Sequence, residues 1–292
     1  RSNFLPWRDV MEKGPKSPYY DWFMINRWPC REQEGSTRDG RYYSFAFAER
    51  MPKLNTSEKK VRDYFLDTVR YWIETFDIDG LRLDVANEIS HLFCRELRQM
   101  TKQLKPDFYL LGEIWHDAMP WLGGDGFDAV MNYPFAAAIR EFWYQPEKTK
   151  SDLEEAIHEN LVRYMRQTTE VLFNLLDSHD TDRLIHQTGG NQDLFFQQLA
   201  MLFTMPGSPC IYYGTEIAIE GGADPDCRRC MPWDQIEQGN YAEITEQIKQ
   251  LIALHVCGNV LNENRLTHLV RRFDLLSKQN RSTTCEDHFS AF

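Results

Sequence analysis

The chain has 292 residues, of which 42% are hydrophobic and 13% aromatic. This composition excludes a disordered chain and predicts a large buried core. The net charge of −11 argues against sequence-independent binding to phosphate backbones, so we expect neither nucleic acid nor a membrane surface as a partner. No apolar run approaches the roughly 20 residues that a membrane-spanning helix needs.

The cysteines bear on the redox compartment and on metal binding. Seven cysteines in a chain of this length do not resemble a small disulfide scaffold, which favours a reducing compartment and a cytoplasmic location. Cys227 and Cys230 form one C-x-x-C, but no second pair at zinc-finger spacing accompanies it. A plain loop is therefore favoured over a metal site, and we predict no metal and no cofactor. Because the chain starts at Arg1 without an initiator methionine or a signal-like segment, we interpret it as part of a longer sequence.

The N-terminal part has no regular pattern. Residues 1–55 combine Trp, Tyr, Pro and charged residues without a sustained hydrophobic period, which predicts a long irregular excursion. A helix is predicted to begin near Asn55, because apolar residues then recur on one helical face: Val61, Phe65, Val69, Trp72, Ile73 and Phe76.

The next segment, LRLDV, places charge inside an apolar run. Successive side chains of a strand point to opposite faces, so Leu81, Leu83 and Val85 are predicted to share a buried face. Arg82 and Asp84 then share the other face, about 6.6 Å apart along the strand. We expect Arg82 to hold the Asp84 carboxylate ionised and oriented.

Helices and strands continue to alternate toward the C-terminus. A second helix is predicted with one apolar face formed by Phe93, Leu97, Met100 and Leu104. Further strands are predicted at FYLLGEIW, DAVMNY, VLFNLLDSHD and PCIYYGTE, and a last helix groups Ile244, Ile248, Leu251, Ile252 and His255. The strands end in polar or ionisable residues: Asp84, Glu113, Asn132, Asp177 and Glu216. This alternation predicts a parallel sheet with right-handed crossovers.

The polar strand ends distinguish two architectures. In a (β/α)8 TIM barrel the chemistry lies at the C-terminal ends of the strands. A doubly wound sheet usually carries a Gly-rich phosphate loop instead, and neither G-x-G-x-x-G nor a Walker pattern occurs here. We therefore predict an α/β fold, a TIM barrel represented by about its last five βα units. A closed barrel needs eight strands, so either three precede residue 1 or the fold is another one.

Three acidic residues stand out at these strand ends: Asp84, Glu113 and Asp180. A single one of them is best interpreted as a capping or solvated acid. Three together fit retaining glycoside hydrolysis, in which two carboxyl groups about 5–5.5 Å apart act as nucleophile and acid. Glu113 follows Gly112 and precedes Ile114 and Trp115, apolar neighbours that suit a general acid.

His179 and Asp180 are adjacent in the segment LLDSHDT. Together they are suited to hydrogen bonding with sugar hydroxyls, while the acid stabilises an oxocarbenium-like charge. An ordinary helix-cap histidine is an equally good interpretation of His179 from its spacing alone.

The segments RLDVANE, LLGEIWH and LLDSHDT resemble three sequence blocks of the α-amylase family of glycoside hydrolases, retaining (β/α)8 enzymes that act on α-linked glucans. MPKLN at 51–55 and VANE at 85–88 resemble the variants of its neopullulanase, cyclomaltodextrinase and maltogenic amylase subgroup. Residues 112–135 and 207–234 resemble the same subgroup. The resemblance extends from about residue 3 to about residue 255.

The resemblance implies a role for each candidate residue. Asp84 is the expected nucleophile, Glu113 the acid/base and Asp180 the transition-state stabiliser. Arg82 and His179 are expected to contact the sugar at the cleavage site.

The same resemblance implies the substrates. Glu88 and Trp115 match positions that shape the acceptor side, which favours small or branched substrates and transglycosylation. The expected substrates are cyclomaltodextrins, maltooligosaccharides, pullulan or starch, cleaved through a covalent glycosyl-enzyme. A homo-oligomer is expected for the full-length form.

The chain also departs from the family pattern. The block that resembles D-x-V-x-N-H and an N-terminal β-domain are absent, and Thr215 stands where the family usually has Asp. We predict part of the excursion after the third barrel strand at 1–55, the C-terminal part of the catalytic barrel at 56–257 and a divergent tail at 258–292. The alternatives are an inactive or partner-dependent fragment that binds glucan or protein, and an α-glucosidase-type relative.

Overall fold

The computed structural model describes residues 3–30, 40–48 and 50–258. The chain divides into two compact units, Arg1–Asn174 and Leu175–Phe292. The predicted domain boundaries after residues 55 and 257 stay predictions. The predicted tail lies outside the described residues, apart from Gly258 at the end of the last helix.

The N-terminal part of the first unit is more ordered than its sequence predicted. Helix α1 (Leu5–Lys13) begins with Pro6 in its first turn, where a missing N–H costs no hydrogen bond. Isolated antiparallel bridges then tie the loops together, for example between Phe23 and Leu54. A small aromatic core lies beneath them: Trp7, Val10, Trp22, Phe23, Cys30, Tyr42 and Val61. The prediction of an irregular excursion is therefore wrong for α1. This helix has only nine residues, which is too short for its apolar residues to show a helical period in the sequence.

A parallel sheet follows in the first unit. Its elements are α2 (Lys59–Phe76), β1 (Gly80–Leu83), α3 (His91–Leu104), β2 (Tyr109–Gly112) and β3 (Ala129–Val130). The strands are hydrogen bonded in the order β1-β2-β3, and Leu83 pairs with Gly112 at the C-terminal ends of β1 and β2. This register brings the residues that follow the two strands to the same edge of the sheet.

Both predicted helices around β1 are confirmed. In α2 the apolar residues Val61, Val69 and Ile73 are buried, and in α3 so are Phe93 and Leu97. Helix α3 begins where the Ser90 hydroxyl accepts a hydrogen bond from the Phe93 N–H, the usual role of an N-cap serine.

Strand β1 ends earlier than its sequence pattern predicted. It stops at Leu83, and Val85 adopts the left-handed conformation with φ 42° and ψ 52°. The predicted alternation through Val85 is therefore wrong. Leu81 and Leu83 are half-buried, because in the described sheet β1 is an edge strand with β2 as its neighbour.

The rest of the first unit is largely helical. Helices α4 (Tyr133–Tyr144), α5 (Lys150–Val162) and α6 (Arg166–Thr169) lead to β4 (Phe173–Asn174). Met131 after β3 forms a parallel bridge with Phe173, so the parallel arrangement continues past β3.

A partly buried ion-pair network fastens α3 to the sheet. The Asp128 carboxylate lies 2.7 Å from Arg98 Nη1 and 3.0 Å from Lys102 Nζ, and it accepts a 2.8 Å hydrogen bond from the Leu110 N–H. Burial raises the pKa of Asp128, but the hydrogen bonds from Leu110, Arg98 and Lys102 outweigh it, so the pKa lies below 3.8. The carboxylate is therefore stabilised in its ionised form.

We expect Asp128→Asn to destabilise the full-length protein by about 2 kcal/mol at neutral pH, because charged hydrogen bonds are lost. Since the folded pKa is lowered, this stabilisation exists above the unfolded pKa of about 4 and is lost as the pH falls through the folded pKa. Urea unfolding at pH 7 and at pH 3 measures the difference. Asp125→Asn, which breaks an exposed pair with Arg95, is the control and should have little effect. A pH-independent difference for Asp128→Asn would contradict the prediction.

The second unit consists of α7 (Leu184–Gln187), α8 (Gln192–Thr204), β5 (Ser208–Pro209), α9 (Trp233–Glu237) and α10 (Ala242–Gly258). Helices α8 and α10 pack together, with Phe195, Leu199 and Ile248 buried. The predicted last helix is confirmed as α10, but Ile252 on its predicted apolar face is exposed. No helix among the described residues has the length and apolar character to cross a membrane.

Candidate active site

The ends of β1 and β2 are joined by backbone hydrogen bonds. The Glu113 N–H donates to the Leu83 carbonyl at 2.9 Å, and the Glu113 carbonyl accepts from the Ala86 N–H at 3.0 Å. These bonds flank Asp84 on both sides. Asp84 and Glu113 are therefore held at one edge of the sheet, as expected for strand ends of a parallel sheet.

Arg82 lies between the two carboxylates. Its Nη1 forms an ion pair with Asp84 Oδ1, and its Nη2 lies 2.9 Å from Glu113 Oε1. Nη2 is buried and has no partner with hydrogen-bond geometry in the described part of the chain, so this second contact is an electrostatic one. One guanidinium group thus contacts both acids and limits their separation.

The two carboxylates differ strongly in their exposure. The Asp84 side chain is 62% exposed, whereas that of Glu113 is 5% exposed. An exposed carboxylate is accessible to an incoming electrophile. A buried one reaches only groups that enter the site directly beside it.

Glu113 has polar as well as apolar surroundings. Its Oε2 accepts a 2.8 Å hydrogen bond from the Val85 N–H, and its Oε1 accepts one of 3.3 Å from Trp115 Nε1. The sequence indicated only apolar neighbours. One donor, the Val85 N–H, comes from the turn after the neighbouring strand β1, and the other, Trp115 Nε1, lies two residues after Glu113 itself.

The left-handed turn at Val85 is what brings its N–H to Glu113. A β-branched residue rarely adopts positive φ, and such a conformation costs about 1–3 kcal/mol. The two hydrogen bonds between Val85–Ala86 and Glu113 offset this cost. The turn redirects the chain immediately after Asp84, so that this acid lies at the sheet edge directly after strand β1.

Trp115 offers a flat aromatic surface next to Glu113. Its ring stacks on that of Tyr133, with the ring centroids 3.7 Å apart and the planes 9° from parallel. Tyr133 is buried at the start of α4, whereas Trp115 is 49% exposed. One face of Trp115 is therefore fixed by Tyr133, a residue that sequence reasoning did not single out.

Glu88 forms an ion pair with Lys53. Glu88 ends the turn after β1, and Lys53 belongs to the segment MPKLN in the N-terminal part. Both segments resemble the neopullulanase subgroup, but nothing local in either one predicts that they meet.

His179 and Asp180 lie in the second unit. His179 Nε2 is 3.1 Å from Asp180 Oδ2, and Arg228 Nη2 donates to Asp180 Oδ1 at 3.0 Å. The His179 carbonyl accepts hydrogen bonds from Arg228 Nε at 3.0 Å and from the Cys227 thiol at 3.2 Å. The loop that contains the C-x-x-C therefore holds the two predicted site residues in place.

The structure thus groups the predicted residues within each unit. Arg82, Asp84, Glu113 and Trp115 form one connected cluster, whereas Glu88 contacts Lys53. No group of three metal-ligating side chains occurs within residues 3–30, 40–48 and 50–258. Cys227 and Cys230 are both free thiols.

Comparison with known sequences identifies the family of this chain. A family profile described as the α-amylase catalytic domain matches residues 1–253. The chain belongs to the α-amylase family. It is 51% identical over 253 residues to cyclomaltodextrinase from Geobacillus thermopakistaniensis, across 86% of this chain and 42% of that protein. Over 274 residues it is 44% identical to intracellular maltogenic amylase from Bacillus subtilis, across 94% of this chain and 44% of that protein.

A solved structure extends the similarity to the fold. The structure of a cyclomaltodextrinase matches with a TM-score of 0.80 and 45% identity, over 86% of this chain and 42% of that one. The predicted TIM-barrel fold and the predicted α-amylase family are thereby confirmed. The chain spans less than half the length of these relatives and contains part of the barrel.

Proposed function

We propose that the full-length protein is a retaining glycoside hydrolase that cleaves α-glucosidic bonds in cyclomaltodextrins, maltooligosaccharides, pullulan or starch. The proposal depends above all on the Arg82 guanidinium group, which contacts both Asp84 and Glu113. Two carboxylates that share one arginine lie close together, which suits the separation of about 5–5.5 Å needed for double displacement. The names of the two relatives support this substrate class.

In the first step Asp84 attacks the anomeric carbon and the glycosidic C–O bond breaks, while Glu113 donates a proton to the leaving oxygen. A covalent glycosyl-enzyme on Asp84 results. In the second step Glu113 accepts a proton from water, and that water attacks the anomeric carbon and releases Asp84. Asp180 stabilises the positive charge that develops on the sugar in both steps, and Arg82 and His179 bind its hydroxyls.

The acceptor side is assigned to Trp115 and Glu88. The exposed face of Trp115 suits stacking against a sugar ring, because its other face is covered by Tyr133. Glu88 is held by Lys53 and suits hydrogen bonding to acceptor hydroxyls. A sugar bound at these residues competes with water for the glycosyl-enzyme, so transglycosylation is part of the proposal.

The alternative of a non-catalytic binding protein is less well supported. A relative that had lost catalysis would be expected to lack one or more of Asp84, Glu113 and Asp180, and all three are present with their charged neighbours. The MPKLN and VANE segments favour this subgroup over an α-glucosidase-type relative.

We also propose a cytoplasmic location and a homo-oligomeric full-length form. The location is supported by the name of the Bacillus subtilis relative, intracellular maltogenic amylase, and by the five free cysteines among the described residues. The homo-oligomer is supported by the family resemblance alone.

The anomeric configuration of the first product tests the proposal. We expect the full-length protein to release reducing ends from cyclomaltodextrin in the α-configuration, because two displacements at one carbon retain the configuration of the substrate. Proton NMR in the first minutes distinguishes the α-anomer from the β-anomer before mutarotation equilibrates them. An initial β-anomer would contradict double displacement, and an absence of hydrolysis of every glucan would contradict the function itself.

A further inference from the structure

A buried acid lies three residues before Asp180 in the second unit. Asp177 is 3% exposed, and its pKa is raised above 3.8 mainly by that burial. A buried carboxylate needs hydrogen-bond donors, because its charge is otherwise unfavourable away from water. The donors that bind Asp177 therefore show which segments this carboxyl group joins.

One oxygen of Asp177 accepts two hydrogen bonds. Asp177 Oδ2 is 3.0 Å from the Leu184 N–H nitrogen and 2.7 Å from the Thr215 hydroxyl. The first bond closes the loop that runs from residue 177 to residue 184. The second attaches the closed loop to Thr215, which is 2% exposed.

The loop closed in this way contains His179 and Asp180. Inside it the Ser178 N–H donates to Thr181 Oγ1 at 2.8 Å, and the Asp180 N–H donates to Ser178 Oγ at 3.1 Å. These bonds hold the backbone beside Asp180, in the loop that Asp177 closes through Leu184 and attaches to Thr215.

Thr215 is itself rigidly placed. Its N–H donates to the Tyr212 carbonyl at 3.0 Å, and its carbonyl accepts from the Ala218 N–H at 3.0 Å. Gly214 before it has φ +86°, and a Cβ atom there would lie 2.7 Å from Ile219. Only glycine suits this turn, so the Thr215 hydroxyl is presented at a fixed position.

We propose that Thr215 is a positioning residue for Asp180, acting through Asp177. This inference rests on the proposed function, in which Asp180 stabilises the transition state. A second anchor exists: Arg228 donates to the His179 carbonyl and to the Asp180 carboxylate, and the Cys227 thiol donates to the His179 carbonyl. The proposal is that this anchor alone does not hold Asp180 in its productive direction.

The test compares Thr215→Val with Thr215→Ser in the full-length protein, with cyclomaltodextrin as the substrate. Valine keeps the shape of threonine and removes the hydroxyl, whereas serine keeps the hydroxyl. We expect Thr215→Val to lower kcat by about 10- to 100-fold, the scale of small misplacements of catalytic groups, with KM little changed. Thr215→Ser should remain within about threefold of the wild type.

Thr188→Val is the matched control. Thr188 is also buried in the second unit, and its hydroxyl donates to the Ile185 carbonyl at 2.9 Å, with no link to Asp180. Both valine variants should lower Tm, Thr215→Val more because it removes a donor from a buried carboxyl, but only Thr215→Val should lower kcat. If Thr215→Val does not fold, Thr215→Ala removes the same hydroxyl with less bulk and carries the same expectation.

The outcomes separate this inference from the proposed function. Equal kcat values for Thr215→Val and Thr188→Val, with an inactive Asp180→Asn variant, would overturn the positioning role and leave the function intact. A fully active Asp180→Asn variant would overturn the role assigned to Asp180, and the positioning role with it. Failure of Thr215→Ser to restore kcat would likewise contradict a role for the hydroxyl.

Discussion

Asp84→Asn in the full-length protein is expected to abolish release of reducing sugar from cyclomaltodextrin. An amide does not form the covalent glycosyl-enzyme, so kcat should fall by at least about 10⁴-fold, the scale seen when a nucleophile is removed. The fold should persist, because the Asp84 side chain is largely exposed and its pair with Arg82 contributes about 1 kcal/mol or less. A reducing-end assay and thermal unfolding measure the two effects separately.

The control for this variant is Asp63→Asn. Asp63 is exposed on α2 and pairs with Lys59, so the same chemical change is made away from the site. It should leave kcat and Tm close to those of the wild type. Intact mass of the Asp84→Asn sample excludes deamidation back to aspartate. Persisting activity in a sample of the correct mass would refute the assignment of Asp84 as the nucleophile.

Glu113→Gln is expected to separate substrates by their leaving groups. A general acid contributes about 10²–10⁴-fold, so kcat/KM for maltooligosaccharides should fall by that factor. An aryl α-maltoside with a good leaving group needs little protonation and should lose much less. The comparison uses kcat/KM, because this parameter reports the first displacement and not the later attack of water.

The hydrogen bonds of Glu113 make a stability control necessary for this experiment. Its buried carboxylate accepts hydrogen bonds from Val85 and Trp115, and the amide of glutamine leaves part of this network unsatisfied, at a cost of about 1–3 kcal/mol. Glu96→Gln is the control, because it breaks the pair between Glu96 on α3 and Arg62 on α2 and so lowers stability without touching the site. Equal losses of kcat/KM on both substrates would argue against an acid role for Glu113.

Much of the fold followed from local patterns. Helices α2 and α3 were predicted from apolar residues at helical spacing, and short apolar runs located strands β1 to β4. The strand predicted at 209–216 overlaps β5 (Ser208–Pro209) at one residue only and is otherwise wrong. These signals are local, because helix and strand periods are set by backbone geometry over a few residues. The polar residues at the strand ends predicted the barrel for the same reason, since parallel strands with helical crossovers end at one edge.

Errors arose where local signals were short or were overridden. Helix α1 was missed because its apolar face is only a few residues long. Strand β1 was extended to Val85 because its sequence alternates, whereas hydrogen bonds to Glu113 hold Val85 in a left-handed turn. A β-branched residue favours a strand locally, and this tertiary contact outweighs that preference.

By itself the sequence determined the order of helices and strands, the presence of the three acids and the family to which they point. The tertiary structure alone decided that Arg82 lies between Asp84 and Glu113, and that Thr215 bonds Asp177. Residue types and spacings record which groups are available. The direction of a side chain at a turn depends on donors and acceptors from distant segments, and only folding brings those segments together.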